Sequence, residues 1–105
     1  MKLRLHGDSL RLRLAHEELL ALQTQGVLEQ TTHLSATQAL VVRLSVAEQA
    51  APVSAQLTGN AIELRLSRRA ASEWWGSDLV ALEARQSAGG RAVKLLVEKD
   101  FDSHD

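Results

Sequence analysis

No cysteine occurs among the 105 residues, which excludes disulfides, thiolate nucleophiles and cysteine-ligated zinc or iron–sulfur centres together. Aromatic residues are almost as scarce: Trp74, Trp75 and Phe101 make up 3% of the chain. Stacking platforms for single-stranded nucleic acid are therefore nearly absent, and the core has to be built from Leu, Val and Ala. No segment approaches the roughly 18 consecutive apolar residues of a membrane-spanning helix. The opening MKLRLHGDSL alternates charge with leucine and lacks the continuous apolar stretch of a secretory signal. These absences predict a soluble, cytoplasmic protein with no membrane partner. Neither sign of charge dominates, since 12 Lys and Arg stand against 13 Asp and Glu for a net charge of −1. That balance disfavours nucleic acid as a partner held by bulk electrostatics.

What the chain does contain is the same phrase written twice. GDSLRLRLA (Gly7 to Ala15) and GNAIELRLS (Gly59 to Ser67) align at a shift of 52 residues, with Gly7/Gly59, Leu12/Leu64, Arg13/Arg65 and Leu14/Leu66 identical. Arg11/Glu63 is the one contrary pair. A genuine repeat carries its neighbours with it, so the flanking pattern is the test.

Lys2 to His6 and Leu10 to Leu14 alternate with period two and read as a hairpin turned at Gly7-Asp8-Ser9, leucines on one face and arginines on the other. His16-Glu17-Glu18 opens a short helix with acids in its first turn, and Gly26 ends it. Strand patterns resume over Val27 to Leu34 and Gln38 to Val46. The only proline, Pro52, marks the midpoint. Beyond it, Val53 to Leu57 and Ala61 to Leu66 flank Gly59-Asn60, a hairpin dipeptide. Arg68 to Trp75 follows as a helix closed by Gly76, and strands over Leu79 to Arg85 and Arg91 to Glu98 complete the chain. Both halves read ββαββ, over about residues 2–46 and 53–98, within a single domain of residues 1–105 whose last residues, 99–105, form a frayed tail. Neither half has enough apolar surface to cover its own sheet. The expectation is an α+β, mostly β fold: a closed or partly closed barrel of the cradle-loop type, made of two pseudo-repeated halves, with closure removing the sheet edges.

The stretch from Gly59 to Lys99 resembles the AbrB-like and MazE-like regulators and antitoxins, whose short domains run from Gly-Asn through an alternating strand ending in arginine to a short helix and a final hairpin. Ser67 and Ala15 stand where those families carry proline. The resemblance implies a swapped-hairpin barrel with both halves in one chain, and DNA contact through Arg13 and Arg65 together with Arg4 and Arg68. Over its whole length the chain also looks like a family of small uncharacterised bacterial proteins, through its MKLRLHGDSLRLRL opening, Glu29-Gln30-Thr31-Thr32-His33 at mid-chain and LLVEKDF near its end. That second resemblance implies a domain of unknown function and no activity.

No catalytic constellation emerges. His6, His16, His33 and His104 are dispersed without HxH or HExxH spacing, the acidic end from Glu98 to Asp105 lacks the glycine-centred loop of a calcium site, and no serine sits in a GxSxG elbow. Gly89-Gly90 closes a hairpin without the lysine and helix of a phosphate loop. The reading is a non-enzymatic binding or regulatory module with no metal and no cofactor, the alternative being a DNA-binding regulator that uses Arg4, Arg13, Arg65 and Arg68. On the second helix, adjacent positions point about 100° apart, so Trp74 faces the core and Trp75 lies at its edge, an expected anchor for a protein partner or self-association.

Overall fold

Strict alternation of leucine with charge dictates the local structure, because a strand places successive side chains on opposite faces. The computed structural model describes residues 1–100. Eight strands and two helices follow in the order β1 (Lys2–His6), β2 (Ser9–Leu14), α1 (His16–Gln25), β3 (Val27–His33), β4 (Ala39–Ala47), β5 (Val53–Thr58), β6 (Ala61–Ser67), α2 (Arg68–Trp75), β7 (Ala81–Ala88) and β8 (Arg91–Lys99). The β1–β2 and β5–β6 turns place Gly7 and Gly59 at φ of 55° and 58°, with no positive φ at Asp8 or Asn60. This is the pattern of a type II′ turn, which needs glycine only at its first central position.

The strands form two four-stranded sheets, ordered β1-β2-β8-β7 and β3-β4-β6-β5. Each sheet takes one hairpin from each half of the chain, joined at its centre by a parallel pair, β2 with β8 and β4 with β6. The pairings correspond closely. A shift of 52 residues carries Lys2–Arg13, Leu3–Leu12 and Leu5–Leu10 of the first hairpin onto Ser54–Arg65, Ala55–Leu64 and Leu57–Ile62 of the second. The central pairs Leu12–Val97 and Leu64–Leu44 correspond too, with Leu44 and Val97 related by a shift of 53.

Leu10, Leu12 and Leu14 of β2, Leu95 and Val97 of β8, Val42 and Leu44 of β4, and Leu64 and Leu66 of β6 all turn inward and share one core. Two helices cap it. α1 contributes Leu19 and Leu22; α2 contributes Ala70, Ala71 and Trp74, the indole being fully buried with its Nε1 donating to the Val80 carbonyl at 2.9 Å. Helix starts differ in chemistry. Ser67 caps α2 through Oγ, which accepts from the Ala70 N–H at 3.0 Å. Ala15 has no such group, and the Glu18 carboxylate instead accepts from the Ala15 N–H at 2.9 Å. Gly26 ends α1 at φ 76°, its N–H returning to the Leu22 carbonyl at 2.8 Å. A left-handed terminus of this kind favours glycine.

Of the closed or partly closed barrel expected from the sequence, the closed form is not found: the sheets remain two, with β1, β7, β3 and β5 as edge strands. One of the two open seams runs between β5 and β7. There the Gln86 side chain, rather than a strand ladder, spans the gap, its Nε2 donating to the Ala55 carbonyl at 2.7 Å and its Oε1 accepting from the Ala55 N–H at 2.9 Å. A side chain standing between two strands holds them too far apart to pair directly. At the chain's end, the Lys99 N–H bonds the Val80 carbonyl and the Asp100 N–H bonds the Leu14 carbonyl, so ordered structure continues through Asp100. The remainder of the proposed frayed tail, 101–105, lies outside the described residues, as does His104.

Candidate binding face

The inward leucines of β1 and β2 force their charged neighbours onto the opposite face of the same sheet. Lys2, Arg4 and His6 of β1 thus lie beside Arg13, Arg11 and Ser9 of β2, and the antiparallel register sets Lys2 directly opposite Arg13 and Arg4 directly opposite Arg11. Directly opposed like charges destabilise a sheet, whereas opposite charges there would support it. The next strand supplies the counter-charge: the Glu98 carboxylate on β8 accepts from Arg13 Nε at 2.9 Å and lies 3.6 Å from Arg11 Nε. Lys2 Nζ stands 3.6 Å from Asp100. Lys2, Arg11 and Arg13 are thus all engaged, whereas Arg4 has no ion pair among the described residues. A shallow groove of about 160 Å³ runs over this face, lined by Lys2, Leu3, Arg4, Arg11 and Arg13.

A deeper pocket of about 290 Å³ adjoins it, lined by Met1, Lys2, Arg13, Ala15, Glu17, Glu18 and Asp100. Its lining carries both signs of charge. The Met1 ammonium is nearly fully buried against Glu18 and donates to Gln30 Oε1 at 3.0 Å. Glu18 thereby ties the start of β1 to the start of α1.

The outer face of the other sheet is organised differently. One cross-strand row reads Glu29–Arg43–Glu63–Gln56, with Arg43 2.7 Å from Glu29 and 3.5 Å from Glu63. The Glu29 hydrogen bond and charge raise the Arg43 pKa. Glu63 is held below the ordinary carboxylate value, first by its hydrogen bond with Thr58 and then by the charges of Arg43 and Arg65. On this face Arg43 stands between two carboxylates, whereas on the β1–β2 face like charges oppose each other and Arg4 has no ion pair among the described residues. The contrary pair of the repeat, Arg11 against Glu63, is the substitution that separates the two.

The four arginines singled out from the sequence do not converge. Arg4 and Arg13 share the outer face of the β1-β2-β8-β7 sheet, Arg65 lies on that of the other sheet, and Arg68 opens α2 with its Nε 2.5 Å from Glu48. Trp75 is half-buried and packs against the core, more exposed than Trp74. The connector after it holds Leu79 and Val80, both exposed. Lys2 and Arg11, the cross-strand partners of Arg13 and Arg4, were not among the candidate residues, although the alternation placed Arg11 on the arginine face. A two-residue turn at Gly7-Asp8 fixes that register and is the signal that would have found them. Among the described residues no cluster of three His, Asp or Glu side chains could hold a metal ion, and no helix is long and apolar enough to cross a membrane.

These features define a small, mostly β, α+β protein of two sheets around one core, with like charges opposed in register on one hairpin face. The chain belongs to DUF7009, a family of unknown function, which it matches over residues 1–105. No curated protein and no solved structure matches it.

Proposed function

We propose that this protein is a non-enzymatic binding module whose working surface is the outer face of the β1–β2 hairpin. One observation carries the reading: two like-charge pairs, Lys2–Arg13 and Arg4–Arg11, are stacked in register on a single hairpin. A fold that needed only a solvated face would do better with alternating signs, as the Glu29–Arg43–Glu63 row of the other sheet has them. An anionic partner supplies a counter-charge for Arg4, which has no ion pair among the described residues. On this reading the two halves are copies of one ββαββ unit in a single domain, arranged as an incompletely closed form of the cradle-loop barrel. The matching hairpin registers support that descent, and one copy acquired the cationic face. A DNA-binding regulator using Arg4, Arg13, Arg65 and Arg68 together is less well supported, because these side chains divide between two faces and Arg68 is engaged by Glu48.

The test is titration of the full chain with a polyanionic probe, polyglutamate, at low ionic strength. Binding that weakens with salt and is lost on the double replacement Arg4→Glu and Arg11→Glu supports the reading. Equal binding by Arg65→Glu and wild type is also expected. Loss on Arg65→Glu with retention on the hairpin double variant would move the surface to the other sheet.

A further inference from the structure

We infer that the free edge of β1 is a strand-addition site for an extended acidic peptide segment. The inference rests on the cationic-face reading above and goes beyond it in naming the partner's backbone conformation. Its ground is a difference between register-equivalent edges. In β5 the outward N–H and C=O of Ala55 are both taken by the Gln86 side-chain amide. The equal hairpin registers make Leu3 the β1 counterpart of Ala55. In β3 the residue at the position of Gln86 is Thr32, given the registers of β3–β4 and β7–β8. A threonine hydroxyl is too short, and offers too few donors and acceptors, to act as a peptide mimic. Among the described residues nothing bonds the outward backbone of Leu3. At β1 the Gln30 side chain of β3 reaches only Met1, ahead of the strand, and the edge that the fold closes at β5 is left open at Leu3 and Leu5 among the described residues.

The side chains on that edge state what should fill it. An added strand presents alternate residues to the two faces of the sheet. On the outer face its side chains meet Lys2 and Arg4; on the inner face they meet Leu3 and Leu5, the latter 60% exposed. The register-equivalent residues of Lys2 and Arg4 in β5 are the neutral Ser54 and Gln56, so charge and open edge occur on the same strand. The occupant is a strand with carboxylates on one face and apolar residues on the other. A second copy of this chain, joined β1 to β1, would set Lys2, Arg4 and His6 against their own kind, and lysine and arginine on an edge strand oppose such pairing.

The experiment uses a dye-labelled synthetic peptide alternating Glu and Val, titrated onto the full chain by fluorescence anisotropy. Two further peptides are N-methylated on alternate residues, one on each backbone edge. Only one edge can face β1, so one methylated peptide should bind about tenfold or more weakly and the other like the parent, corresponding to loss of about two backbone hydrogen bonds. Arg4→Gln, an exposed substitution, should weaken the parent peptide several-fold. If both methylated peptides bind like the parent, and duplex DNA or polyglutamate competes equally well, the face attracts charge without strand addition: the inference falls while the cationic-face reading survives. If no anionic probe binds even at low salt, that reading fails too. Concentration-dependent dimerisation that blocks the peptide would assign the edge to a second copy and overturn the inference.

Discussion

Gln86 holds Ala55 as a neighbouring strand would, donating to its carbonyl at 2.7 Å and accepting from its N–H at 2.9 Å across the seam between the two sheets. Edge strands carry unpaired backbone groups that natural folds have to cover. Here one side-chain amide covers a whole residue's worth, and it joins residues 31 positions apart in the chain.

Replacement of Gln86 by Met, similar in length but without donor or acceptor, should therefore destabilise the protein by about 1–3 kcal/mol, because the half-buried Ala55 groups lose their partners. Urea denaturation measures the cost. Hydrogen exchange of the Ala55 amide should quicken in the same variant while the Leu64 amide, inside the β4-β6-β5 sheet, stays protected. Unchanged stability together with unchanged exchange would mean that water serves Ala55 as well as Gln86 does.

Leu22 of α1 and Trp74 of α2 occupy corresponding places, both fully buried against the shared core. Leu22→Ala should cost about 2–5 kcal/mol and Trp74→Ala about 3–5 kcal/mol, the tryptophan variant also losing its bond to the Val80 carbonyl. Trp75→Ala should cost less, because its indole is only half-buried. Chemical denaturation of the three variants gives the ranking, and a Trp75 cost equal to that of Trp74 would contradict the placement of α2.

Much of this arrangement was legible in the chain because its signals are local. Leucine-charge alternation marks the strands, Gly7-Asp8 and Gly59-Asn60 mark the turns, and Gly26 and Gly76 close the helices, so the order ββαββ appears twice. Which strands meet is a different matter. The parallel pairings of Leu12 with Val97 and of Leu44 with Leu64 join residues from different halves, and nothing near any of them announces its partner. A closed or partly closed barrel was the economical expectation for eight strands with edges to hide; Gln86, one polar residue in an alternating strand, gave no sign that a side chain would take the place of a ladder. The candidate arginines came from a family resemblance, repeat position carrying Arg65 over to Arg13. Exchanging the halves also exchanges the sheets, so Arg13 and Arg65 are equivalent and yet far from a common face. Cross-strand register, not repeat position, brings the cations together.

Glu63 links stability to pH. Its carboxylate is held below the ordinary value of 4.5 by Thr58 and by Arg43. A depressed folded-state pKa means that the folded state binds its proton less readily than the unfolded chain. The stabilisation is therefore fully present above about pH 4.5, the unfolded value, and is lost as pH falls through the lower folded value. Thr58→Val removes the leading cause and should flatten the acid limb of a stability-against-pH curve, with the curves of variant and parent converging at the lowest pH. Variant and wild-type curves that stay parallel down the acid limb would place the linkage on other carboxylates.

Glu98 offers the sharpest test of whether the hairpin face works by charge. Its carboxylate lies 2.9 Å from Arg13 and 3.6 Å from Arg11 and is itself largely covered. It is thus the principal brake on the positive field of that face. Glu98→Gln keeps the shape and a hydrogen-bonding oxygen while removing the charge, so the β2–β8 pairing should persist at a cost of about 1 kcal/mol or less, the scale of a partly exposed ion pair. Affinity for an anionic probe such as polyglutamate should rise several-fold, and its dependence on salt should steepen, since the partner then meets the same cations with one fewer internal competitor. The matched replacement Glu63→Gln on the other sheet should leave affinity unchanged. Were Glu98→Gln to weaken anion binding while the fold remained intact by circular dichroism, Glu98 would be orienting the arginines rather than competing for them. An effect of equal size from Glu63→Gln would show that the probe responds to net charge and not to the β1–β2 face.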